Sequence, residues 1–66
     1  MDDVSAHSRL LLRVDEVAEV LNVGRNRVFD LIRSGELRSI KLGGLRRVPV
    51  SAVHEMVNRL VTESVR

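Results

Sequence analysis

The run Val14-Asp15-Glu16-Val17-Ala18-Glu19-Val20-Leu21-Asn22-Val23-Gly24-Arg25-Asn26-Arg27-Val28-Phe29-Asp30-Leu31-Ile32-Arg33-Ser34-Gly35 holds two helical periods with a break between them. In the first, Val14, Val17, Ala18 and Leu21 share one face at i, i+3, i+4, i+7 spacing, with Glu16 and Glu19 outward. Asp15 and Glu16 occupy the first turn, where the helix dipole favours negative charge. Asn22-Val23-Gly24 interrupts the pattern after barely two turns. The period resumes at Arg25 with Val28, Leu31 and Ile32 as its apolar face, and ends at Ser34 before Gly35, where a left-handed cap favours glycine. Two short helices across a three-residue turn containing glycine form a helix-turn-helix unit. Neither is long enough to persist alone in water, so both apolar faces need a third surface.

Working outward, Leu37 to Leu42 alternates, with Ile40 and Leu42 on one face beside Arg38, and Ser39 and Lys41 on the other. Gly43-Gly44 is a two-residue hairpin signal. Leu45 to Val50 returns, with Val48 and Val50 on one face and Leu45 and Arg47 on the other. Pro49 predicts that this run is an edge strand. Ser51 is placed to cap a last helix whose Val53, Met56, Val57 and Leu60 form an apolar stripe. Leu10 to Leu12 reads as a brief strand or a plug on the core. The pattern predicts a small α+β fold, a winged helix-turn-helix of three helices with a two-stranded β-hairpin wing. It occupies residues 10–62, between a polar tail over 1–9 and a short C-terminal tail over 63–66.

A chain of 66 residues buries only about 60% of its unfolded surface, which leaves little volume for a catalytic cleft. With no cysteine there is neither a disulfide framework nor a thiolate zinc site, which fits a reducing cytosol. His7 and His54 are far apart in sequence and lack a ligand cluster, and no serine has a plausible base. The reading is therefore of a protein without catalytic residues, metal or cofactor. No apolar run approaches the ~20 residues of a membrane span, and Asp2 and Asp3 do not fit the start of a signal peptide.

Charge is unevenly placed. Residues 22–50 carry Arg25, Arg27, Arg33, Arg38, Lys41, Arg46 and Arg47 against Asp30 and Glu36, a balance of +5, while the rest of the chain sums to −3. A positive lobe on a small body attracts a polyanion. Ten of the eleven cations are arginine, whose rigid fork matches phosphate and guanine edges.

On a wheel of the second helix, Asn26, Asp30 and Arg33 lie opposite the apolar side, flanked by Arg27 and Phe29. The second helix of such a unit enters the major groove. There Asn26 suits adenine and Arg33 suits guanine, or Asn26 satisfies the helix end. Arg25 and Arg27 stand where phosphates are reached. Asp30 repels phosphate and reads more readily as a brace for Arg27 or Arg33 than as a reader of cytosine. Phe29, the one aromatic residue, either covers thymine methyls or packs at the core edge. A single aromatic also argues against single-strand binding, which relies on stacking platforms. At the hairpin, Gly43 and Gly44 permit close approach to DNA, with Lys41, Leu45, Arg46 and Arg47 around them. Arginine in a narrow minor groove reads its shape. Arg13, Gly24 and Arg38 are further candidates for phosphate contact.

The strings Leu12 to Arg25, Val28 to Leu37 and Ile40 to Pro49 resemble the excisionase-type, MerR-like winged helix-turn-helix family over about Leu11 to Leu60. The resemblance implies the second helix in the major groove and the wing in the minor groove. Two departures stand out: Val14 stands where many members have Ser or Thr as the first helix cap, and Gly24 where many have Ser. The second leaves only backbone N–H groups at that turn to hold phosphate. By resemblance the chain is an excisionase, which binds repeated sites beside an attachment site, bends the DNA and biases an integrase towards excision. Its partners would be double-stranded DNA, an integrase and further copies of itself along the DNA. The place of action would be the nucleoid in a bacterial or phage-infected cytoplasm, with no membrane. Two alternatives remain: a small transcription regulator, like the developmental regulators of actinobacteria, and an interaction module that docks a protein through the Val53 to Leu60 stripe.

Overall fold

β1 (Leu11–Leu12), α1 (Val14–Leu21), α2 (Arg25–Ser34), β2 (Ile40–Leu42), β3 (Leu45–Pro49) and α3 (Val50–Ser64) follow one another in a computed structural model that describes residues 9–64. The tail assigned to residues 1–9 thus lies, except for Arg9, outside the described residues. The strands form one antiparallel sheet in the order β1-β3-β2. The hairpin wing is present, and of the two readings of Leu10 to Leu12 the brief strand is the one observed: Leu11–Leu12 joins the wing's two strands in the sheet.

The core is built from short side chains. Val14, Val17 and Ala18 of α1 meet Val28 of α2, Val48 of β3, Ala52, Val53 and Met56 of α3, and Leu37. Leu12, Leu21, Leu31 and Ile32 pack against this cluster. Each fully buried valine, leucine or methionine of the cluster contributes on the order of 1.5–3 kcal/mol. The predicted faces of α1 and α2 are therefore the packed ones.

Four boundaries differ from the sequence reading, each for a hydrogen-bonding reason. α1 starts at Val14 with Arg13 as its cap residue, and the Arg13 N–H is held by Glu16 Oε1 at 2.8 Å. Val14 is therefore the first helical residue rather than the cap. Leu37 is buried but lies outside β2. Its N–H donates to Leu31 O at 3.0 Å, so it closes the end of α2 behind Gly35 (φ 88°).

β3 is the central strand despite Pro49. Leu12 pairs with Val48 and Leu11 with Pro49, while Val50 N–H donates to Leu10 O at 2.9 Å. In an antiparallel ladder the hydrogen-bonded pairs alternate. Pro49 falls between two such pairs, and its missing N–H faces the side where β2 has already ended at the Ile40–Arg47 pair. Val50, placed in the strand by its alternation, opens α3 instead. Ser51 is consequently inside the helix and does not cap it. At its other end α3 continues through Glu63 and Ser64, both assigned above to a tail, and Ser64 Oγ donates to Leu60 O at 2.8 Å. Among the described residues no helix is long and apolar enough to cross a membrane.

Candidate nucleic-acid interface

α2 is seated by Val28, which is fully buried, with Leu31 and Ile32 against the core. That seating leaves Arg25, Asn26, Arg27, Phe29, Asp30 and Arg33 exposed together, the six residues the sequence placed on this face. The turn before it is made by Asn22 in the left-handed conformation (φ 61°), with Val23 N–H returning to Ala18 O at 2.9 Å. Gly24 itself is extended and caps α2 without a side chain. The first N–H groups of the helix are therefore open to an acceptor from outside, at the end where the helix dipole is positive.

The polar groups of this face differ in how they are held. Arg33 pairs with Asp30, which bears out the bracing role for that carboxylate. Both are exposed, so the pair is worth about 0–1 kcal/mol and exchanges readily for a stronger acceptor. The Arg25 guanidinium sits 5.8 Å from the Phe29 ring centroid, within cation–π range. Phe29 is 37% exposed and lies outside the buried cluster, so its ring is partly covered at the edge of the core while one side stays open. Neither Arg27 nor Asn26 has a side-chain hydrogen bond or ion pair among the described residues. The Asn26 amide does not cap the helix.

At the wing, Gly43 (φ 60°) and Gly44 (φ 85°) both take the left-handed conformation, which a tight two-residue hairpin turn demands. The register pairs Leu42 with Leu45, Lys41 with Arg46 and Ile40 with Arg47. Cross-strand partners share a face. Lys41 and Arg46 therefore lie on the side of Val48, whereas Arg47 shares the outer side with Ile40, Leu42 and Leu45. The two adjacent arginines diverge instead of forming one cluster. Arg46 Nη1 donates to Ser39 Oγ at 2.9 Å, and Arg47 Nη1 to Arg46 O at 2.9 Å.

Of the three further phosphate candidates, Gly24 stands at the start of α2. Arg13 is drawn to Asp15 (3.3 Å) and Glu16 (3.7 Å), and Arg38 to Glu55 on α3 (2.9 Å). The Arg13 side chain, by hydrogen bonding, holds the Asp15 carboxyl below the usual carboxylate range, and the charge of Arg25 adds to this. Glu16 is lowered chiefly by the backbone N–H of Arg13, with the charges of Arg13 and Arg9 assisting.

Two features escaped the sequence reading. Leu42 belongs to an apolar outer side of the wing, a fact carried only by the register that Gly43-Gly44 imposes. The apolar stripe of α3 is divided: Val53 and Met56 are core, while Val57 and Leu60 stay exposed and line an apolar groove with Leu21, Val23 and Leu31.

A short helix presented outward by a tight turn, a glycine-tipped wing and a supporting third helix define a winged helix-turn-helix domain, a DNA-binding class. The helix-turn-helix domain family matches residues 11–60. An excisionase of Streptomyces ambofaciens is 47% identical over 55 residues, covering 83% of this chain and 89% of that protein. A probable excisionase of Saccharopolyspora erythraea is 39% identical over 56 residues, 85% of this chain, and the match spans 57% of that longer protein. No solved structure matches the chain. The chain belongs to the excisionase group of the helix-turn-helix domain family.

Proposed function

We propose that this protein is an excisionase that binds duplex DNA beside an attachment site, bends it and directs an integrase towards excision, acting by binding without catalysis. The observation that carries the reading is the outer face of α2, where Asn26 and Arg27 have no competing side-chain partner among the described residues. Asn26 and Arg33 read base edges in the major groove, with Arg33 released from Asp30. Arg25 and Arg27 reach phosphates, as do the open N–H groups at Gly24, and Phe29 lies against thymine methyls. Lys41, Gly43, Gly44, Leu45, Arg46 and Arg47 form the wing contact in the minor groove. Arg13 and Arg38 meet flanking phosphates by exchanging Asp15, Glu16 and Glu55 for the DNA backbone.

One copy offers few base contacts, so specificity comes from several copies side by side. Bending a site of this kind costs on the order of 1–6 kcal/mol, offset by the contacts it adds. The bacterial relatives support a place at the nucleoid of a bacterium or in a phage-infected cell.

Footprinting across the attachment region nearest the gene, paired with an excision assay containing the neighbouring integrase, tests this. The expected result is cooperative protection of several adjacent sites and excision that requires the protein. Protection confined to promoters, with excision unaffected, replaces the reading with that of a transcription regulator.

A further inference from the structure

The tip of the wing is apolar where its surroundings are basic. Leu42 and Leu45 face one another across Gly43-Gly44 and are 57% and 56% exposed. Single exposed leucines are ordinary on a protein surface. A cross-strand pair at the end of a projection is different, because the two side chains stand on one face within contact range and make a single knob. Neither leucine belongs to the core or packs against it. The turn beyond it is unobstructed: a Cβ added at Gly43 or Gly44 would meet nothing within 4 Å. The knob is also close to charge, since Arg47 follows on the same face of the ribbon and the next cross-strand pair, Lys41 and Arg46, stands on the opposite face.

We propose that Leu42 and Leu45 are an apolar wedge that enters the minor groove at a base step, partly unstacks it and sets the kink in the bound duplex. This rests on the reading of the wing as a duplex-binding element and supplies the residues that produce the bend. A wholly basic tip would follow the phosphates and leave the helix undeformed. Leucine gains nothing from phosphate and gains from base faces and sugars, the apolar partners that the minor groove offers. The minor groove of B-form DNA is about 6 Å wide, too narrow for two leucines side by side. Entry therefore requires the groove to open, which happens when a step kinks towards the major groove. Pyrimidine–purine steps unstack most easily, so the wedge favours such a step beneath the wing without any hydrogen bond to it.

The probe is a duplex of about 30 base pairs, recovered by the wild-type protein from a random pool. It carries dyes at its ends, and a fluorescent purine analogue that brightens on unstacking replaces each purine in turn. Wild-type protein is expected to brighten the analogue at one step per bound copy and to shorten the end-to-end distance. In Leu42→Ala/Leu45→Ala both signals are lost and affinity falls about tenfold, while the slope of log affinity against log salt stays the same, because every phosphate is still neutralised as before. Arg46→Ala shows the converse, a shallower slope with brightening retained. Thermal melting confirms that each variant is folded, as expected for exposed side chains.

Wild-type binding without brightening, or equal brightening in the double alanine variant, overturns the wedge while duplex binding stands. Loss of cooperativity between sites, with bend and brightening intact, also overturns it and assigns the knob to a neighbouring copy. If no duplex is recovered from the pool, the DNA-binding reading fails first.

Discussion

α2 is held in place by Val28, Leu31 and Ile32 and is closed by Gly35, whereas the wing touches the core only through the lower half of β3. Every residue of β2 is exposed, while Val48 of β3 is fully buried. The helix therefore presents its polar groups from a fixed frame, which suits discrimination between bases. The wing presents charge and apolar surface from a thin two-stranded ribbon, which suits a groove whose width varies. Precision and adaptability are thus divided between two elements of one small fold.

The largest expected effect comes from breaking the frame. Leu37→Ala removes a buried side chain that also closes α2, at a cost of about 2–5 kcal/mol, and is expected to lower the melting temperature by more than about 10 °C. Ile40→Ala, in the exposed part of the wing, should stay within about 0.5 kcal/mol of wild type. Thermal unfolding by circular dichroism compares the two. Equal destabilisation would mean that the wing is as much part of the frame as the helix.

The next two predictions separate the elements by their readout. Asn26→Ala and Arg33→Ala are expected to reduce discrimination between the preferred duplex and a scrambled one by about 1–3 kcal/mol. Arg46→Ala with Arg47→Ala is expected to weaken both duplexes alike and to flatten the salt dependence by about one unit of slope for each phosphate left without its arginine. Fluorescence anisotropy at several salt concentrations measures both. An exchange of phenotypes between helix and wing variants would reverse the division of labour.

Smaller effects probe the seat of α2 and the start of α1. A Cβ at Gly24 meets nothing within 4 Å, and its backbone is extended. Gly24→Ser supplies the missing cap and is expected to raise stability by a few tenths of a kcal/mol, roughly 0.5 at most, read as a small rise in melting temperature. At α1, Asp15 and Glu16 have folded-state pKa values below the usual carboxylate range. Their contribution is therefore present above the unfolded-state values and is lost as pH falls through the folded ones. Acid titration of wild type against Glu16→Gln should show a shallower loss of stability in the variant over that window. Parallel curves would remove Glu16 from the cap.

Much of this was legible because period and punctuation agree. Val14, Val17 and Ala18 repeat at helical spacing, Gly35 stands where only a left-handed cap fits, and Gly43-Gly44 dictates a two-residue turn. What stayed hidden depends on partners distant in sequence. Pro49 reads as an edge residue until Leu11 is known to pair with it, and Val50 reads as strand until its N–H is given to Leu10. Leu37 resembles the start of a strand because its burial comes from closing α2, a bond the alternation pattern does not encode. At the interface, the helix face followed from the wheel alone. Alternation alone also put Arg47 with Leu45 opposite Val48, while the cross-strand partners that join Leu42 and Ile40 to that side waited on the register.

The most direct test is the affinity of the purified protein for a duplex of about 30 base pairs, titrated from dilute buffer to high salt. The account predicts binding that tightens steeply as salt is lowered, because arginines on two elements displace counterions from phosphates. Equal affinity for the duplex and for an uncharged polymer in dilute buffer would contradict it.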